Sequence, residues 1–564
     1  MNPATRTRPN RQQERPPVRN AAEIWNPLPL GKGLGSTKLS PAHRKSPATL
    51  PRLSGISLAV VLSLYGPPAA AARNAPIVVA ESEALQSSRS IGVNQEGGFV
   101  VVWGGPGGIG GRCYGSGRTA LGEAFVIDAD SADQAPSVAM NAGGGFVVVW
   151  QAGNAIVARR YSGCGSDGVP AGNPDVTVAD SGSSPSVALD RSGNFAVAWF
   201  DGADTGSAER FDAQDQPQGL AITFPASAAP SIAMDPTPDA ASEPNGGRFV
   251  IAAPGDGALT LRRYQAGGTE DGTGLEVAAD SSDSSETGAD GGPYPWITTD
   301  TEVVNTNPSV AMDGNGEFVI GWEQARNDRV HTVRKVKNKP YCYTDDYGKK
   351  TCQPPDEPYD YPYTDTYGSS SSIKVRRYDA TGAVKDKTRK GEDKTFAVSG
   401  KARNRVQNGA PSVAMHDTGN FAVGWTRTTF KTVKGKCTKD EYGYEYCADD
   451  TTTYFADVKA QAYKASGKRQ GGTLNVSGRK KVVDGSASVA LDETGDLLVG
   501  WRNDLAEKTK KTKNRRKCTN DPDYGKTCNY YDADGNQVYD KYSYSTTTLA
   551  EAAVSAKRYR PRKR

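Results

Sequence analysis

The chain has 564 residues, 36% hydrophobic and 23% charged, which is enough apolar material for a large folded unit and too much for a disordered one. Its 63 Gly and 35 Pro are turn formers, which argues against a helical bundle and for many short strands. The formal net charge of +4 argues against a nucleic-acid-binding chain, yet it hides three unlike regions: +9 over 1–73, −18 over 74–300 and +13 over 301–564.

Residues 1–73 read as a leader. They are rich in Pro and Arg, and a short apolar run over 56–64 is followed by Gly66-Pro67-Pro68 and a series of Ala. The run is too short for a membrane span and fits a secretory signal peptide cleaved near Ala71 or Ala72. The other reading is a tail with a chance apolar patch. No other segment approaches the roughly 20 apolar residues of a membrane helix, so the expectation is a secreted or cell-surface protein without a transmembrane helix.

From residue 74 onward one pattern recurs: Pro-Ser-Val-Ala-Met-Asp, a Gly turn, then Phe-Val-Val-x-Trp. Its copies run from Arg89 to Trp103, Pro136 to Trp150, Pro185 to Trp199, Pro308 to Trp322, Pro411 to Trp425 and Ala487 to Trp501. A degenerate copy begins at Pro230 and reaches Phe249 through a longer turn, with Ala253 in the Trp position. A third run ends in an aromatic (Ala158-Arg159-Arg160-Tyr161, Leu261-Arg262-Arg263-Tyr264, Val375-Arg376-Arg377-Tyr378), and a short fourth run follows. Four alternating strands per unit describe a blade of a β-propeller. The Asp-x-x-Gly stretches read as hairpin turns capped by Asp. A metal loop at every turn is the lesser reading, because a single carboxylate is fixed per copy.

The last unit ends with its third strand, at Tyr559, and Ala75 to Ala80 looks like the missing fourth. The predicted fold is therefore all-β, a seven-bladed propeller over 74–564 closed by an amino-terminal strand, which leaves no open sheet edge. The PSVAMDxxGxFVVxW and RRYDxxG signatures resemble a repeat of bacterial secreted and surface proteins, similar in layout to integrin-type FG-GAP propellers. The resemblance implies a binding or scaffolding module. The regular Asp-x-Asp-x-Asp-Gly loop of FG-GAP blades is missing from this chain.

Successive copies are spaced by 47, 49, 45, 78, 103 and 76 residues, so the later blades carry additions. These are expected between the second and third strands of blades five to seven, over about 326–372, 428–453 and 504–548, all on one face of the ring. Each has a basic arm, a Cys pair and a Ser- or Thr-rich return. Cys342/Cys352, Cys437/Cys447 and Cys518/Cys528 each enclose nine residues, which in an exported protein reads as three stapled hairpins. Zinc would need four ligands at closer spacing. Cys113 and Cys164 are a further candidate pair.

Sixteen of 25 Tyr fall in these additions. Tyr341, Tyr343, Tyr347, Tyr442, Tyr444, Tyr446, Tyr524, Tyr530 and Tyr531, beside Lys510, Lys511, Arg515 and Arg516, form the candidate binding sector. Tyr packing against Tyr in long hairpins is the alternative. Asp532, Asp534, Asn536 and Asp540 have the spacing of a calcium loop and equally that of an Asp-Gly hairpin turn, the reading favoured here. The functional expectation is a non-enzymatic propeller that binds a surface glycan, a polyanion or a protein, or assembles copies through acidic and basic blades. The alternative is an enzyme acting on polysaccharide, a lyase or glycoside hydrolase, at the central opening. No local set of paired carboxylates, or of His with partners, announces one.

Overall fold

The Phe-Val-Val-x-Trp run forms the second strand of every blade, and in blade one all of Phe99 to Trp103 is buried. Such a run is apolar throughout because both of its faces meet neighbouring blades. The third strand alternates, as in Ala155–Tyr161, with its aromatic end stacked on the Phe that opens the second strand. These ring pairs recur at 4.6 to 4.9 Å: Phe99 on Tyr114, Phe146 on Tyr161, Phe195 on Phe211, Phe249 on Tyr264, Phe318 on Tyr378 and Phe421 on Tyr463.

The computed structural model describes residues 77–81, 89–130, 134–166, 168, 170–237, 247–287, 296–336, 341–353, 359–400, 406–433, 437–439, 445–447, 451–477, 480–481, 487–492, 494–521, 525–529 and 539–559, in part as backbone. The leader with its apolar run lies outside them. They form seven antiparallel blades, each built on four strands in sequential order from the inside outward, to which blade five adds Ser281–Thr287. The exception is blade seven, where Ala487–Leu491, Leu497–Asp521 and Tyr539–Tyr559 are completed by Ile77–Glu81. Ile77 lies opposite Ala556 and Glu81 opposite Ala553, so the amino-terminal strand closes the ring as expected. Among the described residues no helix is long and apolar enough to cross a membrane.

The repeated Ser joins neighbouring innermost strands. Ser186 Oγ accepts from Ile232 N at 3.3 Å, Ser231 from Val310 N at 3.1 Å, Ser309 from Val413 N at 3.0 Å and Ser412 from Val489 N at 3.0 Å. Ser488 accepts from Ser90 N at 3.1 Å, which carries the series across the closure. The repeated Asp caps the following turn as read from the sequence: Asp313 Oδ1 accepts from Asn315 N and Glu317 N, and Gly316 supplies φ of 76°. In blade six His416 takes the Asp position, and its Nδ1 accepts from Thr418 N at 3.0 Å.

The residue before each third-strand aromatic clasps the next blade. Arg160 donates to the Asp212 carbonyl at 3.0 Å and pairs with Asp215 at 2.6 Å. Arg210 reaches the carbonyls of Ala266 and Gly267, Arg263 that of Ala380, Arg377 that of Ala465, and Arg558 those of Ser116 and Gly97. Blade six has Ala462 at this position, and blade one has Cys113, disulfide-bonded to Cys164 of blade two.

The additions are ribbons continuous with the blades. In blade five the second and third strands extend to Phe318–Val336 and Tyr359–Tyr378, in blade six to Phe421–Val433 and Thr451–Tyr463, and in blade seven to Leu497–Asp521 and Tyr539–Tyr559. Blade five has a widening that the sequence reading did not contain. Its innermost strand runs from Trp296 to Met312, and Ser281–Thr287 pairs along its outer half. The Cys342–Cys352 disulfide staples the hairpin Tyr341–Thr344/Lys350–Gln353. The backbone sets Cys437 opposite Cys447 and Cys518 opposite Cys528.

Candidate functional site

The centre of the ring is occupied by a side chain. Arg89 stands where five copies of the repeat have Pro, and its guanidinium crosses from blade one to the innermost strands opposite. It donates to the carbonyl of Val187 in blade three, to Ser231 Oγ in blade four at 3.2 Å and to the carbonyl of Val310 in blade five. Burial lowers its pKa to about 10. Arg89 thus spans the central opening considered for an enzyme, linking four blades at the depth of the innermost strands.

Two clefts flank the strand that ends blade five. One, of about 480 Å³, lies against blade six and is lined by Asn408, Trp425, Arg427, Lys459, Arg469 and Thr473. The register explains the convergence: Arg427 sits directly opposite Asn408 on one neighbouring strand, and Trp425 directly opposite Lys459 on the other. Arg469 comes from the outermost strand, Arg469–Asn475, and reaches the carbonyls of Ala397 and Val398 at 3.4 Å. The second cleft, about 240 Å³, lies on blade five and is lined by Gln324, Arg326, Ser372 and Lys374, with Gly400 shared between the two. Burial pushes the Lys374 ammonium below the usual lysine range. Neither lining contains a carboxylate. Two of the lining cations have a carboxylate partner outside the linings: Asp328 pairs with Arg326 at 3.0 Å, and Asp457 lies 3.3 Å from Lys459.

A larger cleft, about 610 Å³, lies on the widened part of blade five among Asp283, Asp300, Glu302, Asp328, Arg329 and Ser369. Two of its carboxylates are engaged locally: Ser284 Oγ donates to Asp300 at 2.7 Å, and Thr301 Oγ1 to Asp328 at 2.8 Å. Among the described residues no group of three His, Cys, Asp or Glu is placed to hold a metal ion.

Of the residues singled out from the sequence, Tyr343 and Tyr347 lie on the stapled hairpin of blade five, 47% and 97% exposed. Tyr341 is on the same hairpin opposite Gln353, and Tyr446 faces Thr438 on that of blade six. Lys510, Lys511, Arg515 and Arg516 follow one another along the ribbon of blade seven, with Asp540 opposite Arg515. Tyr442, Tyr444, Tyr524, Tyr530, Tyr531, Asp532, Asp534 and Asn536 lie outside the described residues. The reading missed Lys459, Arg469 and Asn408; the signal for two of them was an Asn three residues before the repeat Pro (Asn305, Asn408) and a Lys opposite the repeat Trp (Lys374, Lys459), in blades five and six alone.

No family model and no curated protein matches the chain, and the FG-GAP resemblance finds no support there. Similar solved structures include a PL25 polysaccharide lyase, ulvan lyase, bound to -[GlcA(1-4)Rha3S]-, at TM-score 0.37 and 8% identity over 76% of this chain and 93% of that one. The Dos1 propeller is similar at TM-score 0.32 and 9% identity, covering 75% and 92%. The GH43 BlXynB protein from Bacillus licheniformis is similar at TM-score 0.25 and 10% identity, covering 86% and 99%. The expectation of a non-enzymatic chain rested on the lack of a local catalytic motif, and it does not stand. The physical reason is that a propeller assembles a site from blades far apart in sequence, so the lack of a local motif was no ground for excluding catalysis.

Proposed function

We propose that the protein recognises an acidic glycan outside the cytoplasm, held along the basic clefts of blades five and six with the ribbons rising beside them. The observation that carries this reading is the gathering of Arg326, Lys374, Arg427, Lys459 and Arg469 in two adjoining clefts whose linings have no carboxylate. A partly buried Lys with its charge opposed by burial gains from an incoming anion. The acidic half of the ring repels the same partner, so the field orients its approach. The disulfides Cys113–Cys164 and Cys342–Cys352 support an oxidising compartment.

The test is calorimetric titration with an acidic polysaccharide and a neutral one of equal length, at low and at moderate salt. Binding of the acidic polymer that weakens with salt and is lost in Arg427→Glu/Lys459→Glu is the expected result. Equal binding of the neutral polymer, or none of either at low salt, overturns the reading.

A further inference from the structure

Blades five and six carry the same pair of residues in two different states. In blade five Asn305, three residues before the repeat Pro, accepts from Trp322 Nε1 at 2.9 Å and from Gln324 Nε2 at 3.1 Å. Blade six has Asn408 and Trp425 at the matching positions, both 2% exposed. Here the Asn amide is turned away. Asn408 Nδ2 donates to the Ser371 carbonyl at 2.7 Å, Asn408 N donates to Ser371 Oγ at 2.6 Å, and Ser371 Oγ donates back to the Asn408 carbonyl at 2.8 Å. This three-bond clamp to blade five fixes which amide atom is oxygen.

Asn408 Oδ1 and Trp425 Nε1 are consequently both buried without a hydrogen-bond partner, and both residues line the 480 Å³ cleft with Arg427, Lys459 and Arg469. Trp199 and Trp501 also have an unpartnered Nε1. Blade six differs in having an acceptor without a partner, a donor without a partner and three cations lining one cleft. A buried polar group left without a partner is destabilising, and a ligand that satisfied two would recover both penalties.

We propose that this cleft is a subsite for one acidic sugar unit: its ring hydroxyl donates to Asn408 Oδ1, while its anionic group accepts from Trp425 Nε1 and meets Arg427 and Lys459. The inference rests on the acidic-glycan reading and deepens it. A bare anion cannot serve, because it offers nothing to donate to Asn408. A neutral sugar leaves two cations in excess, since Asp457 offsets one of the three. The required ligand has a hydroxyl and an anionic oxygen on one small ring. Carboxylate and sulfate ester both meet that description.

The full chain, labelled with ¹⁵N on Trp, is titrated with a polyuronate, a sulfated neutral-backbone polymer, unmodified neutral polymer and inorganic sulfate. Trp425→Phe assigns the Trp425 indole signal and removes the donor while keeping the ring. The expected result is a downfield shift and slowed solvent exchange of that signal with an acidic polymer and with neither control. Affinity falls about tenfold in Trp425→Phe, with salt dependence unchanged and the remaining indole signals keeping their folded positions. Whichever acidic polymer shifts the signal identifies the anionic group. Binding of acidic polymer with a stationary Trp425 signal and an unaffected Trp425→Phe overturns the subsite, a water then filling the cleft, and leaves the broader reading standing. A Trp425 shift with inorganic sulfate matching that of the polymers also overturns it. Absence of acidic-polymer binding overturns both.

Discussion

Cys113 in blade one is bonded to Cys164 in blade two at the sequence position where Arg160, Arg210, Arg263, Arg377 and Arg558 clasp the blade that follows. A covalent bond and a charged hydrogen-bond donor thus serve as alternatives at one geometric station. The disulfide spans 51 residues of sequence, so loop closure assigns it roughly 3–4 kcal/mol. Cys113→Ser/Cys164→Ser is expected to lower the guanidinium midpoint accordingly, and Cys113→Arg/Cys164→Ser to recover part of the loss. Equal midpoints for the two double variants would show that the station does not accept an Arg.

Asp313 gives a pH-dependent prediction of opposite sign to the usual carboxylate. Burial raises its pKa to about 6, and Oδ2 has no hydrogen-bond partner, while Oδ1 accepts from the turn. The folded state binds the proton more tightly than the unfolded one, so the stabilising contribution is complete below the ordinary value of 3.8 and is lost as pH rises through 6. Blades one and two use Asn94 and Asn141 for the same cap. Asp313→Asn is expected to match the parent at pH 3.5 and to exceed it by about 1–2 kcal/mol at pH 7.5 in denaturant melts. A gain that does not depend on pH would refute the assignment.

Arg89→Ala removes the donor shared by blades three, four and five and leaves buried acceptors behind. The expected loss is about 2–4 kcal/mol, read by thermal unfolding, with faster amide exchange in the innermost strands of those three blades. Uniform exchange across all seven blades would show that Arg89 does not link them.

Reducing the hairpin disulfide of blade five is a local event. The bond closes only a 10-residue separation at a ribbon tip, where Lys349 and Lys350 are exposed. Cys342→Ser/Cys352→Ser should accelerate tryptic cleavage there at least fivefold without moving the unfolding temperature of the ring. A lowered unfolding temperature would mean that the tip is coupled to the blades.

The ring was legible because each blade repeats the same four strands, and its closure because Ala75 to Ala80 matched a fourth run. Arg89 was visible as the one charged residue in the Pro position, yet its reach across the centre depends on three blades that sequence does not juxtapose. The widening of blade five was not legible, since Ser281–Thr287 is polar throughout and gains its partner from Trp296–Met312 across a gap in sequence. The blade-six subsite was hidden for a related reason. Asn305 and Asn408 look alike as letters, and only the clamp from Ser371 turns the second amide away from its Trp.

The pairing of Ile77 with Ala556 ties the order of synthesis to the order of folding. Blades one to six can each form once their own residues have emerged, but blade seven must wait for the chain to return to its beginning. That last pairing has a sequence separation near the full length of the ring, which makes it the slowest contact to gain. Until it forms, the third strand of blade seven presents an open edge of the kind that recruits foreign strands. A peptide copying Ile77–Glu81 would therefore compete during refolding and be ignored by the finished ring.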